Sequence, residues 1–305
     1  MKTDVVKFFA FAGLLLCSTL FASPPDLSAK MNALIENFHG KAGIYVRHIK
    51  TGETVAINAD TLFPTASMIK VPILIKIFEK IETSQLDYAT ELPWHPDSVN
   101  YPCDGGILCS YEPGRKISID RLISLMITYS DNHASLWLQK MATGEGINQW
   151  LDANGFDGTR MNSRTEGRRG DWEKYGWGQT TPREMARLLV MIREGKAVSP
   201  VASEEMYRVL TRIYWNDTAL SQIPPYVQAA SKQGAVDESR SEVVLVNAPH
   251  GDYVFCVITK NQRDISWKYK NEGFELIRAV SHLLWEHFEP DFGWQALKES
   301  RRYED

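Results

Sequence analysis

Ser67-Met68-Ile69-Lys70 opens the run Val71-Pro72-Ile73-Leu74-Ile75-Lys76-Ile77-Phe78-Glu79-Lys80-Ile81, in which apolar residues dominate. The pattern predicts a helix over Val71–Ile81. Three residues turn a helix through about 300°, so Ser67 and Lys70 share one face a turn apart. A serine hydroxyl is a poor nucleophile until a base takes its proton. A lysine serves as that base only when burial or other cations pull its pKa down. Taken alone, the pair reads as an N-cap serine beside a solvated lysine.

Working outward, helical periodicity dominates from about 64 to 215, at Val71–Ile81, Ser118–Tyr129, His133–Met141, Ile147–Asn154 and Pro182–Glu194. Thr181-Pro182-Arg183-Glu184 is a helix start, with a capping threonine and proline at the first position. Strand patterns lie on either side, at Gly43–Ile49 and Glu53–Ile57 before the helices and at Glu242–Asn247 and Tyr253–Lys260 after them. Leu27–Phe38 and Glu272–Phe288 read as helices that bracket the whole. The expected class is α/β (α+β). A discontinuous α/β lobe of residues 24–63 and 216–290 carries an inserted all-helical lobe of residues 64–215, with a site in the cleft between them.

The chain has 305 residues, 44% of them apolar, and a net charge of −4, ample for a large core and unlike a nucleic-acid binder. Residues 1–23 read as an export signal: Lys2 and Lys7 flank a short basic region, Phe8–Leu16 is apolar, and small residues follow before Pro24-Pro25. The stretch is too short to span a membrane. Cys17 suggests a lipoprotein cysteine, but Leu16 before it is too bulky for that cleavage. A secreted or periplasmic location follows, and it permits disulfides. Cys103 and Cys109, in a Gly/Pro-rich loop, either staple that loop or remain two free thiols; Cys256 lies in a buried strand. No Cys/His group has metal-ligand spacing, so neither metal nor cofactor is expected. Residues 291–305 form a tail whose last part, Lys298–Asp305, is charged.

Three further motifs follow in order: Ser130-Asp131-Asn132 between two helices, Glu166 in the Gly- and charge-rich segment Asn162–Thr180, and Lys232-Gln233-Gly234 at the start of the strand-rich end. With Ser67-x-x-Lys70, this set resembles the class A β-lactamases and the related penicillin-recognising serine hydrolases. Gly155–Asn162 and Thr180–Ala186 extend the resemblance over nearly the whole mature chain.

The resemblance implies a two-lobed fold, an antiparallel sheet flanked by helices with the helical lobe inserted. It makes Ser67 the nucleophile that forms an acyl-enzyme, Lys70 its base, and the backbone N–H groups of Ser67 and Ala235 the oxyanion hole. Ser130 becomes the proton shuttle to the leaving nitrogen, Asn132 a donor to the substrate amide, and Lys232 with Gly234 the carboxylate-binding strand. Asp131 holds its loop. Glu166, 36 residues after Ser130 and two after Arg164, takes the place of the glutamate that activates the deacylating water; Glu173 is the competing carboxylate. The implied partner is a small β-lactam or peptidoglycan-like substrate, handled by a monomer. A D-Ala-D-Ala peptidase, another serine amidohydrolase and a slowly deacylating penicillin-binding sensor are the alternatives.

The chain departs from the pattern at several places. Gln233 stands where a small hydroxyl residue usually binds the substrate carboxylate, and Gly170 where an asparagine shares the hydrolytic water. Gly178 replaces the aspartate that pairs with the loop arginine, which makes Asp171 the expected partner of Arg164. Arg240 is a candidate second carboxylate-binding cation, or else a surface arginine. Trp172, Tyr175 and Trp177 either line the cleft or pack under the loop, and Tyr111 is expected at the cleft mouth.

Overall fold

A computed structural model describes residues 25–297; the expected leader and the tail from residue 298 lie outside the described residues. Helix α1 (Pro25–Ile35) leads into strands β1 (Lys41–His48), β2 (Thr54–Ile57) and the short β3 (Phe63–Pro64). A 3₁₀ turn, Ala66–Ile69, runs directly into helix α2 (Lys70–Glu82). A small ribbon of β4 (Glu91–Pro93) and β5 (Lys116–Ser118) precedes helices α3 (Ile119–Thr128), α4 (Asn132–Ala142) and α5 (Gly144–Ala153). Then come β6 (Arg160–Met161), α6 (Arg169–Tyr175), β7 (Gly178–Thr180), α7 (Pro182–Arg193) and α8 (Pro200–Leu210). The chain closes with β8 (Ala229–Val236), β9 (Ser239–Val246), β10 (Tyr253–Lys260) and α9 (Glu272–Phe288).

The main sheet is antiparallel, in the order β2-β1-β10-β9-β8, which leaves β8 as one edge. Its central strands read as continuous apolar runs because both faces are covered. Val244, Val246, Phe255 and Val257 face a core shared with Leu27 and Met31 of α1 and with Leu276, Leu284 and Trp285 of α9. The alternate residues Val243, Leu245, Val254, Cys256 and Ile258 face the larger core, which contains the buried side chains of α7 and α2. This is the period-two alternation of a strand with an apolar partner on each side.

Helix α2 is the axis of the helical lobe, with α3, α4, α5 and α8 packed around it. From Lys70 to Phe78 only Lys76 is not buried. Pro72 is tolerated there because the N–H groups of a first helical turn have no intrahelical acceptor to lose. Strand β7 pairs with both β3 and β6 and ties the end of the Asn162–Trp177 segment to the residues just before Ser67. The two-lobed fold is therefore the one the motifs imply. Helices α6 and α8 were not among the expected elements.

Candidate active site

Ser67 sits where the helical lobe meets the edge strand β8. The turn that carries it is entered through Ala66 in the left-handed region, φ 43°, and the Thr65 N–H donates to Gly178 O at 2.9 Å. Strand β8 comes close enough to meet this turn only because residue 234 is glycine. A Cβ there would lie 2.6 Å from Thr65 O, 2.9 Å from Ser67 N and 2.8 Å from Ser241 Oγ. The backbone at Ser67 and the Gly234–Ala235 strand are thereby apposed. Both Ser67 and Ala235 line a cleft of about 630 Å³, together with Asn132, Tyr101 and Trp177.

Ser130 lies just before α4 and is also left-handed, φ 58°. A non-glycine residue in that region costs roughly 1–2 kcal/mol. The surroundings hold it in place. Asp131 caps α4, its Oδ1 accepting from Ala134 N and its Oδ2 from Leu108 N, each at 2.9 Å. The cap therefore fastens the 107–110 turn to the helix and aims Ser130 into the interface.

Two buried lysines converge on that serine. Lys70 Nζ donates to Ser130 O at 2.6 Å, Ser130 Oγ at 3.0 Å and Asn132 Oδ1 at 2.8 Å, which engages all three of its N–H bonds. Lys232 Nζ donates to Ser130 Oγ at 3.1 Å, to Gln233 O at 3.1 Å and to Gln233 Oε1 at 3.4 Å. Both side chains are fully buried. Desolvation, and then the positive charge of Lys232, hold the Lys70 ammonium well below its usual pKa. Burial brings Lys232 down to about 7 against an opposing pull from buried Glu242. Ser130 Oγ accepts from two ammonium groups, so its own proton points away from both.

The residues of the 162–177 segment fall elsewhere. Glu166 is exposed and lines a separate hollow with Leu136, Arg169 and Trp172. Tyr101 and Trp177 line both spaces, in edge-to-face contact with ring centroids 5.7 Å apart. Glu166 and Ser67 thus line different spaces, which meet at this aromatic pair. The Glu166 backbone N–H donates to Glu145 Oε1 at 2.9 Å, and α6 carries the following residues along the surface. Glu173 pairs with Arg169 at 3.0 Å on the exposed face of α6 and does not replace it. Arg164 does not pair with Asp171. Its guanidinium donates to Val99 O and Asn100 O, while Asp171 takes Arg168 at 2.8 Å.

Arg240 is corrected as well. Its side chain is fully buried, donates to the carbonyls of Val236, Ser239 and Ser266, and lies under Trp267 and Phe274. It braces the β8–β9 turn against the 264–271 loop and has no face for a substrate. Gln233 is half-buried, its carbonyl turned to Lys232. Tyr175 and Trp177 line the cleft; Trp172 lies in the Glu166 hollow, and Tyr111 packs on the core beneath Arg115.

Sequence reading missed Tyr101, Lys174 and Trp267, which line the cleft, and Asp104, which touches Asn132. None lies in a motif. Cys103 and Cys109 are joined in a disulfide with Cα atoms 5.8 Å apart. Asp104, Cys109 and His133 gather within 4.8 Å, a cluster that linear spacing hides, but the Cys109 sulfur is committed to Cys103.

A sequence profile described as the Beta-lactamase enzyme family matches residues 26–288. Beta-lactamase VEB-1 of Pseudomonas aeruginosa is 20% identical over 283 residues, covering 88% of this chain and 92% of that protein. The solved structure of PBP-A superposes with a TM-score of 0.76 at 25% identity, over 87% of this chain and 97% of that one. A point mutant of PBP-A, seen as an acyl-enzyme with penicillin G, matches equally well. A class A β-lactamase from Mycobacterium abscessus gives a TM-score of 0.75 at 18% identity over 86% of this chain and 99% of that one.

Proposed function

The chain belongs to the beta-lactamase enzyme family, and on that premise we propose that it is a serine β-lactamase opening β-lactam rings through an acyl-enzyme on Ser67. The carrying observation is the convergence of Lys70 and Lys232 on Ser130, at 3.0 and 3.1 Å, with Ser67 one turn before Lys70 and lining the cleft. In this reading the neutral form of Lys70, made accessible by its depressed pKa, accepts the Ser67 proton as Oγ attacks the lactam carbonyl. The Ser67 and Ala235 amides receive the developing oxyanion. Ser130 gives its outward proton to the lactam nitrogen as the C–N bond breaks, and the lysine pair restores it. Lys232, Gln233 and Gly234 receive the substrate carboxylate, and Asn132 its amide.

One observation bears on rate. Glu166 lines the space beyond the Tyr101–Trp177 pair, so hydrolysis of the acyl-enzyme proceeds without it and is slower than acylation. The protein works as an exported, disulfide-stapled monomer; among the described residues no helix is long and apolar enough to cross a membrane.

The test is to mix the mature protein and its Ser67→Ala variant with a chromogenic cephalosporin. Multiple turnovers after an initial burst, abolished in Ser67→Ala, are the expected result. One equivalent of product with a permanent mass adduct, or turnover that survives Ser67→Ala, overturns the proposal.

A further inference from the structure

The negative groups that act on Lys70 are Asp131 and Asp104, while Lys232 is the positive one. Asp131 has both oxygens committed to backbone N–H groups. Asp104 is differently placed. It lies inside the loop closed by Cys103 and Cys109, and its Oδ1 accepts from Gly106 N at 3.1 Å. Its Oδ2 accepts from Asn132 Nδ2 at 2.6 Å, and Asn132 Oδ1 accepts from Lys70 Nζ at 2.8 Å.

The Asn132 amide is thus held between an anion and a cation. A carboxamide has one acceptor end and one end with two donors, and a 180° turn exchanges them. Turned round, Asn132 would set its carbonyl against the Asp104 carboxylate and its NH₂ against the Lys70 ammonium, both repulsive. With Asp104 present only one orientation is satisfied, and it turns the second N–H of Asn132 to the Tyr101 hydroxyl at the cleft that both residues line. The buried ring of His133, with Nδ1 3.7 Å from Asp104 Oδ1, backs the carboxylate from the far side.

We propose that Asp104 is a positioning residue for the reaction: its carboxylate fixes the Asn132 amide so that one end holds Lys70 and the other faces the cleft beside Tyr101. The proposal rests on the acyl-enzyme reading above. It acts through hydrogen-bond acceptance at a point, so a neutral acceptor of the same shape should preserve it.

Acylation measured by stopped flow should therefore fall about 10–100-fold in Asp104→Ala, the scale of a catalytic contact displaced by an ångström. In Asp104→Asn, which keeps a carbonyl at that point, it should stay within about threefold, a margin well below one contact's worth. A companion readout needs no turnover: the Asn132 side-chain amide signals in ¹⁵N-labelled protein should be slowly exchanging in the wild type and in Asp104→Asn, and lose that protection in Asp104→Ala. Wild-type acylation in Asp104→Ala, equal impairment of both variants, or an Asn132 signal indifferent to Asp104 overturns the proposal. A wild type that takes up no acyl group refutes the proposed function, and the amide signal then still decides whether Asp104 holds Asn132.

Discussion

The Lys70–Ser130–Lys232 centre and the segment carrying Glu166 illustrate two ways a chain can place a functional group. The three residues of the centre stand on or beside α2, α4 and β8, and both lysines are buried with their N–H groups engaged. Glu166 stands on a surface turn before α6, with only its backbone anchored by Glu145. In the first case regular elements set the side chain's position to within a hydrogen bond. In the second, short local choices decide which side of an aromatic pair the side chain occupies. A motif residue is therefore a safer guide to chemistry when the element beneath it is long and buried than when it stands on a loop.

The contrast is broken most directly at the centre. Lys70→Met keeps the length and burial of the side chain but removes the base and three hydrogen bonds, and it should slow acylation by about 10³-fold or more. The time course of the mass adduct checks this. Acylation persisting near the wild-type rate would mean that the centre does not work through Lys70.

A smaller effect comes from Lys232. Its pKa is brought down to about 7, so the ammonium loses its proton as pH rises through that value. For a β-lactam with a free carboxylate, kcat/KM should fall on the alkaline side by about tenfold per pH unit, while the methyl ester of the same compound lacks that limb. Stability moves in the opposite sense. Above about 7 the folded protein has released a proton that the unfolded chain keeps up to its ordinary lysine range, so Tm should rise with pH across that window. The rise should shrink in Lys232→Met, as scanning calorimetry would record. An alkaline limb shared by the ester would remove Lys232 from carboxylate recognition.

The smallest effect is expected at Glu166. Glu166→Gln should leave steady-state turnover within about twofold, as befits an exposed group away from the reacting atoms. Accumulation of a long-lived adduct in that variant would show that the segment swings inward during the reaction.

Much of this was legible before any coordinates. The helices around Val71–Ile81, Ser118–Tyr129, Pro182–Glu194 and Glu272–Phe288 follow from periodicity, and the strand Tyr253–Lys260 matches β10 to the residue. The strand expected at Glu242–Asn247 begins earlier, at Ser239. Ser239 and Arg240 are polar yet buried, because Ser239 Oγ donates to Thr259 O and Arg240 N to Thr259 Oγ1. Helix α8 did carry a local signal, Ser199 capping Ala202 N with Pro200 at the first position. Helix α6 lacks one, because its Gly and charged residues resemble a loop and its stability comes from contacts. Asp104 lay beyond sequence reasoning for a plainer reason. It acts across 28 residues through one side-chain hydrogen bond that no pattern in the chain marks.

Gly234 has a consequence for the molecule's life among its own copies. As the sheet's edge, β8 carries backbone donors and acceptors on its outer side that no further strand satisfies, and such an edge invites pairing with another chain. The turn bearing Ser67 is seated against that edge, close enough that a single methyl at residue 234 would collide with it. The nucleophile's own backbone thus crowds the approach to this edge strand at residue 234. Conditions that part the two lobes should promote self-association along β8 as they abolish catalysis, joining loss of activity and loss of solubility in one event.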